Sequence, residues 1–323
     1  MQILDARLTA EALPWEALFA AVQATIRDAN AGHAGSPPRM SVPLGDGAVW
    51  LLMPALSSSA DIGACKLITV HGSNRERHLP SIQGDILVIR ASTGERLALL
   101  DGPTVTARRT AAVTTLAVRR ILEARTVAAT VASEVASASI TQSSEPTSCL
   151  IIGCGVQGRS HLEALHAAYP ALQFLLCSRT AASARALAEY ATNNGIPART
   201  VPSPEAVLPK VDLVVCCTDA SAICLNQPPR QGAIIAAIGS FKPEMSELSP
   251  AVMQVIGRNI LLDSADAGHE AGELIQNGID PEGLPNLFTW HPQALPAVMR
   301  TVLFKSCGNA LWDLAAAQAA TAG

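Results

Sequence analysis

A glycine-rich segment, CLIIGCGVQGRSHLEALH at residues 149–166, constrains the fold of this chain more than any other feature. Its glycines follow an apolar run and precede a helical pattern. Two interpretations are open: a cradle for a pyrophosphate, or a tight turn that binds nothing. In the first, the glycines permit the turn, the close approach of phosphate and the close packing of helix on strand. The strand–loop–helix context favours a dinucleotide site at Gly153, Gly155, Val156, Gln157 and Gly158.

The end of the next predicted strand indicates which dinucleotide binds. An NAD site commonly has an Asp or Glu there, which binds the ribose 2′-hydroxyl. This chain has Ser178, Arg179 and Thr180 instead. A guanidinium pairs well with a phosphate, and the two hydroxyls can donate to it. The segment therefore favours NADP(H), with NADH possible, and the alternative is that Arg179 is a solvated surface cation.

Length and composition restrict the class of protein. The 323 residues suffice for two domains, and 49% hydrophobic against 15% charged residues predicts a large buried interior. A net charge of −4 without a long basic run argues against nucleic-acid binding. No apolar stretch has the roughly 18 residues of a membrane span, and the N-terminal residues lack the basic segment of a signal peptide. We expect a cytoplasmic enzyme without a membrane partner.

The eight cysteines lie mostly within apolar runs. They form no CxxC pair, and no histidine joins them at metal-ligand spacing. We therefore expect buried free thiols rather than disulfides or zinc, and no metal site.

The first third of the chain has the pattern of an antiparallel sheet. The segment MQILD predicts a short strand, and a helix follows it up to about residue 30. Four alternating segments then predict strands: AVWLLMPAL, ACKLITVHG, DILVIRAST and RLALLDG. The dipeptides at 93–94 and 101–102, both ending in glycine, predict hairpin-like turns. A helix that begins near Thr106 leads out of this sheet.

From residue 149 onward, strands alternate with helices. Six apolar runs, CLIIG, QFLLCS, ARTVP, VDLVVCCT, GAIIAAIGS and NILLDS, predict a parallel sheet covered on both faces. The fold class is therefore α/β, a Rossmann doubly wound parallel sheet with a smaller α+β domain. The C-terminal residues are predicted as a loop and a helix. We place the first domain at 1–120 with 300–323 and the Rossmann domain at 121–299, and we expect the Ala/Ser/Thr-rich segment 124–148 to extend a helix and end in a linker.

Three cations in the first region suit a substrate with a negative charge. Arg39 follows two prolines at a loop–strand boundary, Lys66 interrupts an apolar strand, and Arg109 stands near the start of a helix. A lysine in a half-buried strand is costly unless it is paired. Together these cations could clamp one carboxylate, whereas each alone could equally form a structural ion pair.

Two further residues offer proton chemistry. Asp219 lies at the carboxyl end of the fourth parallel strand, the edge at which ligands bind in doubly wound sheets. It could orient an amine or imine nitrogen or relay a proton to it, or it could cap a helix. His71 in LITVHGSN could donate a proton, and the alternative is a loop histidine without a role.

Taken in order along the chain, several segments resemble the ornithine cyclodeaminase/mu-crystallin family: PPRM, GACKLITVHGSN, STGERLALLDGPTVTARRTAAVT, LIIGCGVQGRSHLEAL, IGSFKPEMSEL and FKSCGNALWDLA. The resemblance covers nearly the whole chain. It implies a homodimer whose first domain binds substrate and forms the dimer contacts. It also implies that Arg39, Lys66 and Arg109 hold a substrate carboxylate, with Lys66 and Asp219 as the catalytic residues.

The resemblance also implies a nicotinamide end of the cofactor site, near Thr218, Gly239 and Ser306. Among the activities of the family, the Ser-Arg-Thr segment and the compact C-terminus favour a reductase that consumes NADPH, and the chain looks most like the family's reductases of cyclic imino acids. The expected reactions convert Δ1-pyrroline-2-carboxylate to L-proline and Δ1-piperideine-2-carboxylate to L-pipecolate. Two alternatives remain open: an ornithine cyclodeaminase with bound NAD, and a ligand-binding protein without enzymatic activity, as mu-crystallin can be.

Overall fold

The computed structural model describes residues 1–136, 145–219 and 222–322, and two sheets of seven strands each organise these residues. The chain divides into two compact units, residues 1–113 with 309–323 and residues 114–308. The domain boundaries expected from the sequence, 1–120 with 300–323 and 121–299, stay a prediction.

The first unit contains the N-terminal sheet. Its elements are β1 (Gln2–Leu4), α1 (Ala6–Glu11), α2 (Trp15–Asn30), β2 (Ala34–Gly35), β3 (Met40–Gly45), β4 (Ala48–Ser57), β5 (Ile62–Val70), β6 (Ile82–Arg90), β7 (Arg96–Asp101) and the start of α3 (Gly102–Ala136). The strand order is β1-β7-β6-β5-β4-β2, with β3 paired to β4. All pairs are antiparallel except that of β1 with β7.

The second unit contains a parallel sheet. Its further elements are β8 (Ser148–Ile152), α4 (Val156–Ala168), β9 (Gln173–Cys177), α5 (Ala181–Asn193), β10 (Ala198–Thr200), β11 (Leu213–Cys216), β12 (Ile234–Ala237), α6 (Pro250–Ile256), β13 (Ile260–Leu262), α7 (Ala267–Glu270), α8 (Gly272–Ile275) and β14 (Val302–Lys305). The chain then returns to the first unit with α9 (Ala310–Thr321).

Burial alternates along the strands of the first sheet because successive side chains point to opposite faces. Met53, Lys66 and Ile86 stand opposite one another on β4, β5 and β6, and all three are buried. Helix α9 packs against β4, β5, β6 and β7, and α2 packs against α9. The opposite face keeps Trp50 and Leu56 exposed, at 39% and 48% of their surface.

The parallel sheet has the order β10-β9-β8-β11-β12-β14-β13. Its central strands are buried at every position except Ser148 at the start of β8, as expected for a sheet that is covered on both faces. The chain leaves β8 towards β9 and later returns to the other side of β8 with β11. This reversal of strand order is the switch point at which doubly wound sheets bind ligands. The predicted α/β class with a Rossmann parallel sheet is confirmed.

Two sequence-based expectations of local structure are wrong. Asp101 and Gly102 do not form a hairpin turn, because α3 begins at Gly102 and the Asp101 carboxylate accepts a hydrogen bond of 2.8 Å from the Thr104 N–H, as a helix cap does. The predicted C-terminal loop contains β14, which inserts between β12 and β13. The turn at residues 93–94 is confirmed, with Gly94 at φ 73°.

Three further expectations concern the connecting segment, membranes and thiols. Helix α3 continues to Ala136, and residues 137–144 of the predicted linker lie outside the described residues. Within the part of the chain that the structure describes, no helix combines the length and the apolar character needed to cross a membrane. The prediction of free thiols is confirmed for all eight cysteines, five of which are buried.

Candidate functional site

The order of the parallel strands brings the predicted cofactor residues to one edge of the second unit. The glycine loop follows β8, and residues 178–180 follow β9 on one side of it. Thr218 and Asp219 follow β11 on the other side, Gly239 follows β12, and Ser306 follows β14. Because all these strands are parallel, their carboxyl ends lie along the same edge of the sheet. Residues from five separate segments therefore form one row.

The glycine loop has the geometry that a bound pyrophosphate requires. Gly153 has φ 104°, and a Cβ atom there would lie 2.5 Å from Cys217 O. A Cβ at Gly158 would lie 2.1 Å from Gly153 O, so helix and strand can approach only with glycine at this position. Around Gly155, by contrast, no atom lies within 4 Å of the added Cβ position. Gly155 is also the N-cap of α4 and has no side chain with which to satisfy the first N–H groups of the helix.

Two side chains of this loop add to the fit. Gln157 Oε1 is buried and has no hydrogen-bond partner among the described residues, which suits a position that faces a ligand. Burial raises the pKa of the Cys154 thiol to about 12, so this cysteine stays protonated and is not a nucleophile. The open space, the N–H groups and the unpaired amide oxygen together fit a dinucleotide.

At the end of β9, Ser178 is half-buried and Arg179 is exposed. Arg179 Nη1 lies 3.5 Å from Asp219 Oδ2, so the predicted phosphate ligand and the predicted acid form an ion pair. Thr180 is the N-cap of α5, and its hydroxyl oxygen accepts a bond of 3.4 Å from the Ser183 N–H. Thr180 Oγ1 also lies 2.8 Å from Ser183 Oγ, and either hydroxyl can be the donor of that bond.

A buried carboxylate, Glu247, holds two of the predicted nicotinamide contacts in place. Its Oε1 atom accepts hydrogen bonds from Thr218 N at 2.8 Å and Thr218 Oγ1 at 2.7 Å. Its Oε2 atom accepts from Gly239 N at 2.7 Å and Ile238 N at 3.1 Å. Burial raises the pKa of Glu247, while Lys305 and these donors oppose the shift. Glu247 thus joins the ends of β11 and β12.

A second buried network connects the ends of β12 and β14. Lys305 donates to Ser240 O at 2.6 Å and pairs with Glu273 at 3.3 Å, and both ionic side chains are fully buried. Burial acts to lower the pKa of Lys305, but Glu273 and the other negative groups outweigh it, so the pKa is raised. The Ser306 hydroxyl donates to Asp263 Oδ2 at 2.6 Å. The side chain of this third nicotinamide candidate is therefore bound to the protein interior.

The first unit brings together the predicted substrate cations. Lys66 is 2% exposed and Arg109 is 5% exposed. Both contact the buried carboxylate of Asp313 on α9: Lys66 Nζ lies 2.7 Å from Oδ2, and Arg109 Nε lies 3.1 Å from Oδ1. Arg39, just before β3, is close enough for its charge to act on Lys66. The three buried groups, Lys66, Arg109 and Asp313, carry two positive charges and one negative charge, and this excess attracts an anion.

Burial is also the main cause of a shift at Lys66, whose pKa falls to about 8. Asp313 raises the pKa of Lys66, whereas Arg109 and Arg39 lower it further. Lys66 is therefore a cation whose charge depends on pH just above neutrality. His71 follows β5, and its backbone N–H donates to Ser81 O at 2.8 Å. His71 as a proton donor stays a prediction.

The sequence interpretation missed four buried carboxylates: Asp263, Glu247, Glu273 and Asp313. One signal was available for Asp313, because it is the only charged residue in the mostly apolar helix ALWDLAAAQAAT. Among the described residues, no group of three or more His, Cys, Asp or Glu side chains is placed to hold a metal ion.

Known proteins resemble this chain over nearly its whole length. The model of the ornithine cyclodeaminase/mu-crystallin family matches residues 3–321. The chain is 34% identical to the Δ1-pyrroline-2-carboxylate/Δ1-piperideine-2-carboxylate reductase of Azospirillum brasilense, over 98% of this chain and 94% of that protein. It is 33% identical to Δ1-pyrroline-2-carboxylate reductase 1 of Burkholderia multivorans, with the same two shares.

A solved structure has the same fold. It is Thermococcus litoralis Δ1-pyrroline-2-carboxylate reductase in complex with NADH and L-proline. The TM-score is 0.83 over 100% of this chain and 97% of that chain, and the sequence identity is 22%.

Proposed function

The chain belongs to the ornithine cyclodeaminase/mu-crystallin family, and on this premise we propose that it is an oxidoreductase that reduces the C=N bond of cyclic imino acids with a nicotinamide cofactor. The substrates are Δ1-pyrroline-2-carboxylate, which gives L-proline, and Δ1-piperideine-2-carboxylate, which gives L-pipecolate. Support comes from two reductases that act on such imines and share 33–34% of their residues with this chain.

The structural observation that best supports this substrate class is the positive charge of the cluster around Lys66 on β5. Lys66 and Arg109 are buried and share one carboxylate, and Arg39 adds a third positive charge. A buried excess of positive charge is unfavourable by itself and is relieved by a bound anion. The carboxylate beside the C=N bond of a cyclic imino acid would supply that anion. These three cations are therefore the proposed substrate ligands.

The proposed cofactor is NADPH, with NADH possible. The loop residues Gly153, Gly155, Val156, Gln157 and Gly158 would hold its pyrophosphate. The residues Ser178, Arg179 and Thr180 would bind the 2′-phosphate, and Thr218, Gly239 and Ser306 would line the nicotinamide end. When bound, the reduced nicotinamide supplies the hydride.

In the proposed chemistry, the imine carbon receives the hydride and the imine nitrogen receives a proton. The C=N bond becomes a C–N single bond, and the imine is reduced to a cyclic amine. Lys66 holds the substrate carboxylate and contributes positive charge, which stabilises negative charge close to the reacting atoms. Asp219 is the proposed residue that relays a proton to the nitrogen. The remaining contribution of the chain is orientation, which accounts for a large share of catalysis in two-substrate reactions.

The test is NADPH oxidation, followed by absorbance, with a panel of both cyclic imines, 2-oxo acids with amines, and L-ornithine. We expect turnover of the two cyclic imines, and at least about a hundredfold loss of it in Lys66→Ala with less than about a twofold change in NADPH affinity. Release of ammonia from L-ornithine without added cofactor would indicate a cyclodeaminase instead. Tight NADPH binding without any turnover would indicate a ligand-binding protein.

We also propose a homodimer formed through the open face of the first sheet. That face has a groove of about 290 Å³ with an apolar lining that includes Pro54, Leu56, Cys65, Leu87 and Ile89. An apolar sheet face of this kind commonly packs against a partner. A cytoplasmic location is proposed as well, because free cysteines are typical of reducing compartments.

A further inference from the structure

Helix α9 places a carboxylate where the proposed substrate cations meet. The segment from Ala310 to Ala317 is buried at every position, and Asp313 is 1% exposed. An ionised carboxylate in such a place is costly unless cations pair with it. Lys66 on β5 and Arg109 on α3 supply that pairing, one on each carboxylate oxygen. The three residues come from three different elements, so Asp313 fixes the distance between the two cations.

We infer that Asp313 is a positioning residue of the substrate site: it holds Lys66 and Arg109 at a fixed separation and keeps Lys66 positively charged at neutral pH. This inference rests on the proposed function, because it assigns Asp313 a role in binding the imino acid carboxylate. Asp313 acts through the two cations and is not itself a catalytic residue.

The surroundings of Lys66 make its charge depend on Asp313. The neighbouring strands place Met53 and Ile86 beside Lys66, and neither side chain carries a charge. The charged groups that act on Lys66 are Asp313 on α9, Arg109 on α3 and Arg39 before β3. Burial and the two arginines favour the neutral amine, and Asp313 favours the ammonium form. Removing the negative charge of Asp313 therefore lowers the pKa of Lys66 below its present value of about 8.

The direction in which Asp313→Asn changes activity follows from these opposing influences on the pKa of Lys66. A substrate carboxylate is attracted by the ammonium form of Lys66, which is lost as pH rises through its pKa. In the wild type this loss is expected near pH 8, and in Asp313→Asn it is expected at a lower pH. The variant is therefore most impaired in mildly alkaline solution and recovers when the pH is lowered.

The experiment compares kcat/KM for Δ1-pyrroline-2-carboxylate between pH 5.5 and 9 in the wild type and in Asp313→Asn. The substrate titrates in the same way with both proteins, so the ratio of the two profiles reports the enzyme. We expect the activity of the variant relative to the wild type to be at least about fivefold lower at pH 8 than at pH 6, which is the effect of lowering a pKa of about 8 by one unit. NADPH affinity, measured by fluorescence, should change less than about twofold, since the proposed cofactor residues belong to the other unit.

Asp61→Asn is the matched control, because Asp61 is an exposed carboxylate of the same unit that pairs with Arg90. Its profile should follow that of the wild type. The inference is wrong if Asp313→Asn loses activity at alkaline pH over the same range as the wild type, or if Asp61→Asn shifts that range equally.

If Asp313→Asn loses NADPH binding and cooperative melting, the variant Asp313→Glu tests the inference instead. That variant keeps the charge but moves the carboxylate by one methylene. We therefore expect the loss of activity at alkaline pH to be unchanged and KM for the imine to rise about tenfold. An unchanged KM overturns the inference.

The outcome also separates this inference from the proposed function. A wild-type protein that turns over neither cyclic imine contradicts the proposed function. A wild-type protein that is active, beside an Asp313→Asn variant with an unaltered pH profile, contradicts the role of Asp313 alone.

Discussion

Arg179 Nη1 lies 3.5 Å from Asp219 Oδ2, and the two residues follow β9 and β11, the strands on either side of β8. Their side chains are 73% and 37% exposed. An ion pair as exposed as this one contributes at most about 1 kcal/mol. A phosphate group can therefore take the place of Asp219 on the guanidinium at little cost. The roles proposed for these two residues, cofactor selection and proton relay, act at opposite ends of the cofactor, so we expect this ion pair to open when NADPH binds.

Replacing Arg179 with alanine tests cofactor selection. We expect Arg179→Ala to weaken NADPH binding by about 10- to 100-fold, because charge-assisted hydrogen bonds to a phosphate contribute roughly 1.5–3 kcal/mol. NADH has no 2′-phosphate, so its affinity should change less than about threefold. Fluorescence titrations with both cofactors measure the two effects. The control is Arg185→Ala, which removes an exposed arginine of the following helix, and an equal loss for NADPH and NADH would contradict the assignment.

Replacing Asp219 with asparagine tests the proton relay. The amide keeps the shape of the side chain but cannot accept and release a proton as a carboxylate does. We expect kcat for imine reduction to fall by about 100-fold, the lower end of the usual effect of general acid–base catalysis. NADPH affinity should stay the same or rise, because Arg179 loses a competing anion. Steady-state kinetics with both substrates measure these changes, and a wild-type kcat with tighter NADPH binding would limit Asp219 to its ion pair with Arg179.

Much of the fold was predictable because local patterns determine it. Alternating apolar and polar residues predicted β4 to β7, and continuous apolar runs predicted the strands of the parallel sheet. The carboxyl ends of those strands, which carry the cofactor residues, were therefore predictable from the sequence. Strand β14 was predicted as part of a loop, and its last residue is the charged Lys305. The structure neutralises that charge with Glu273, which is distant in sequence.

The partners of the candidate site were predictable only in part. The cations at 39, 66 and 109 interrupt apolar or turn segments and attract attention by themselves. Asp313 is separated from Arg109 by 204 positions, so no local pattern relates the two. The same holds for Glu247, whose four hydrogen bonds go to donors at the ends of β11 and β12. Contacts of this kind arise from tertiary packing, which a single sequence does not reveal.

The open face of the first sheet gives a prediction about assembly. Leu56 is 48% exposed on that face, and a carboxylate in its place would have to lose its hydration in a sheet-to-sheet contact. We expect the wild type to have twice the chain mass of 33.6 kDa in solution and Leu56→Asp to have the mass of one chain. Size-exclusion chromatography with light scattering measures both. Val255→Asp, at a position that is 53% exposed on α6, should leave the mass unchanged, and a Leu56→Asp protein that stays dimeric would place the interface elsewhere.

A buried histidine predicts how the second unit responds to acid. His161 is fully buried, its Nδ1–H donates to Gln157 O at 2.8 Å, and its Nε2 atom lies 3.0 Å from the Thr114 hydroxyl, which donates to it. Both bonds suit the neutral ring, and burial lowers the pKa of His161 to about 4. Protonation therefore favours the unfolded chain, where the pKa is about 6.5. The stability that the neutral ring contributes is complete above pH 6.5 and is lost as the pH falls from there to about 4.

Integrating this shift gives a loss of about 2 kcal/mol in the free energy of unfolding between pH 7 and pH 5. Urea unfolding at these two pH values measures it, in the wild type and in His161→Gln. The variant is expected to be less stable at pH 7, because glutamine fits the two partners less well, but its stability should fall by about 2 kcal/mol less on acidification. His269→Gln removes an exposed histidine and should retain the wild-type response. An equal pH response in His161→Gln and the wild type would mean that His161 titrates normally in the folded protein.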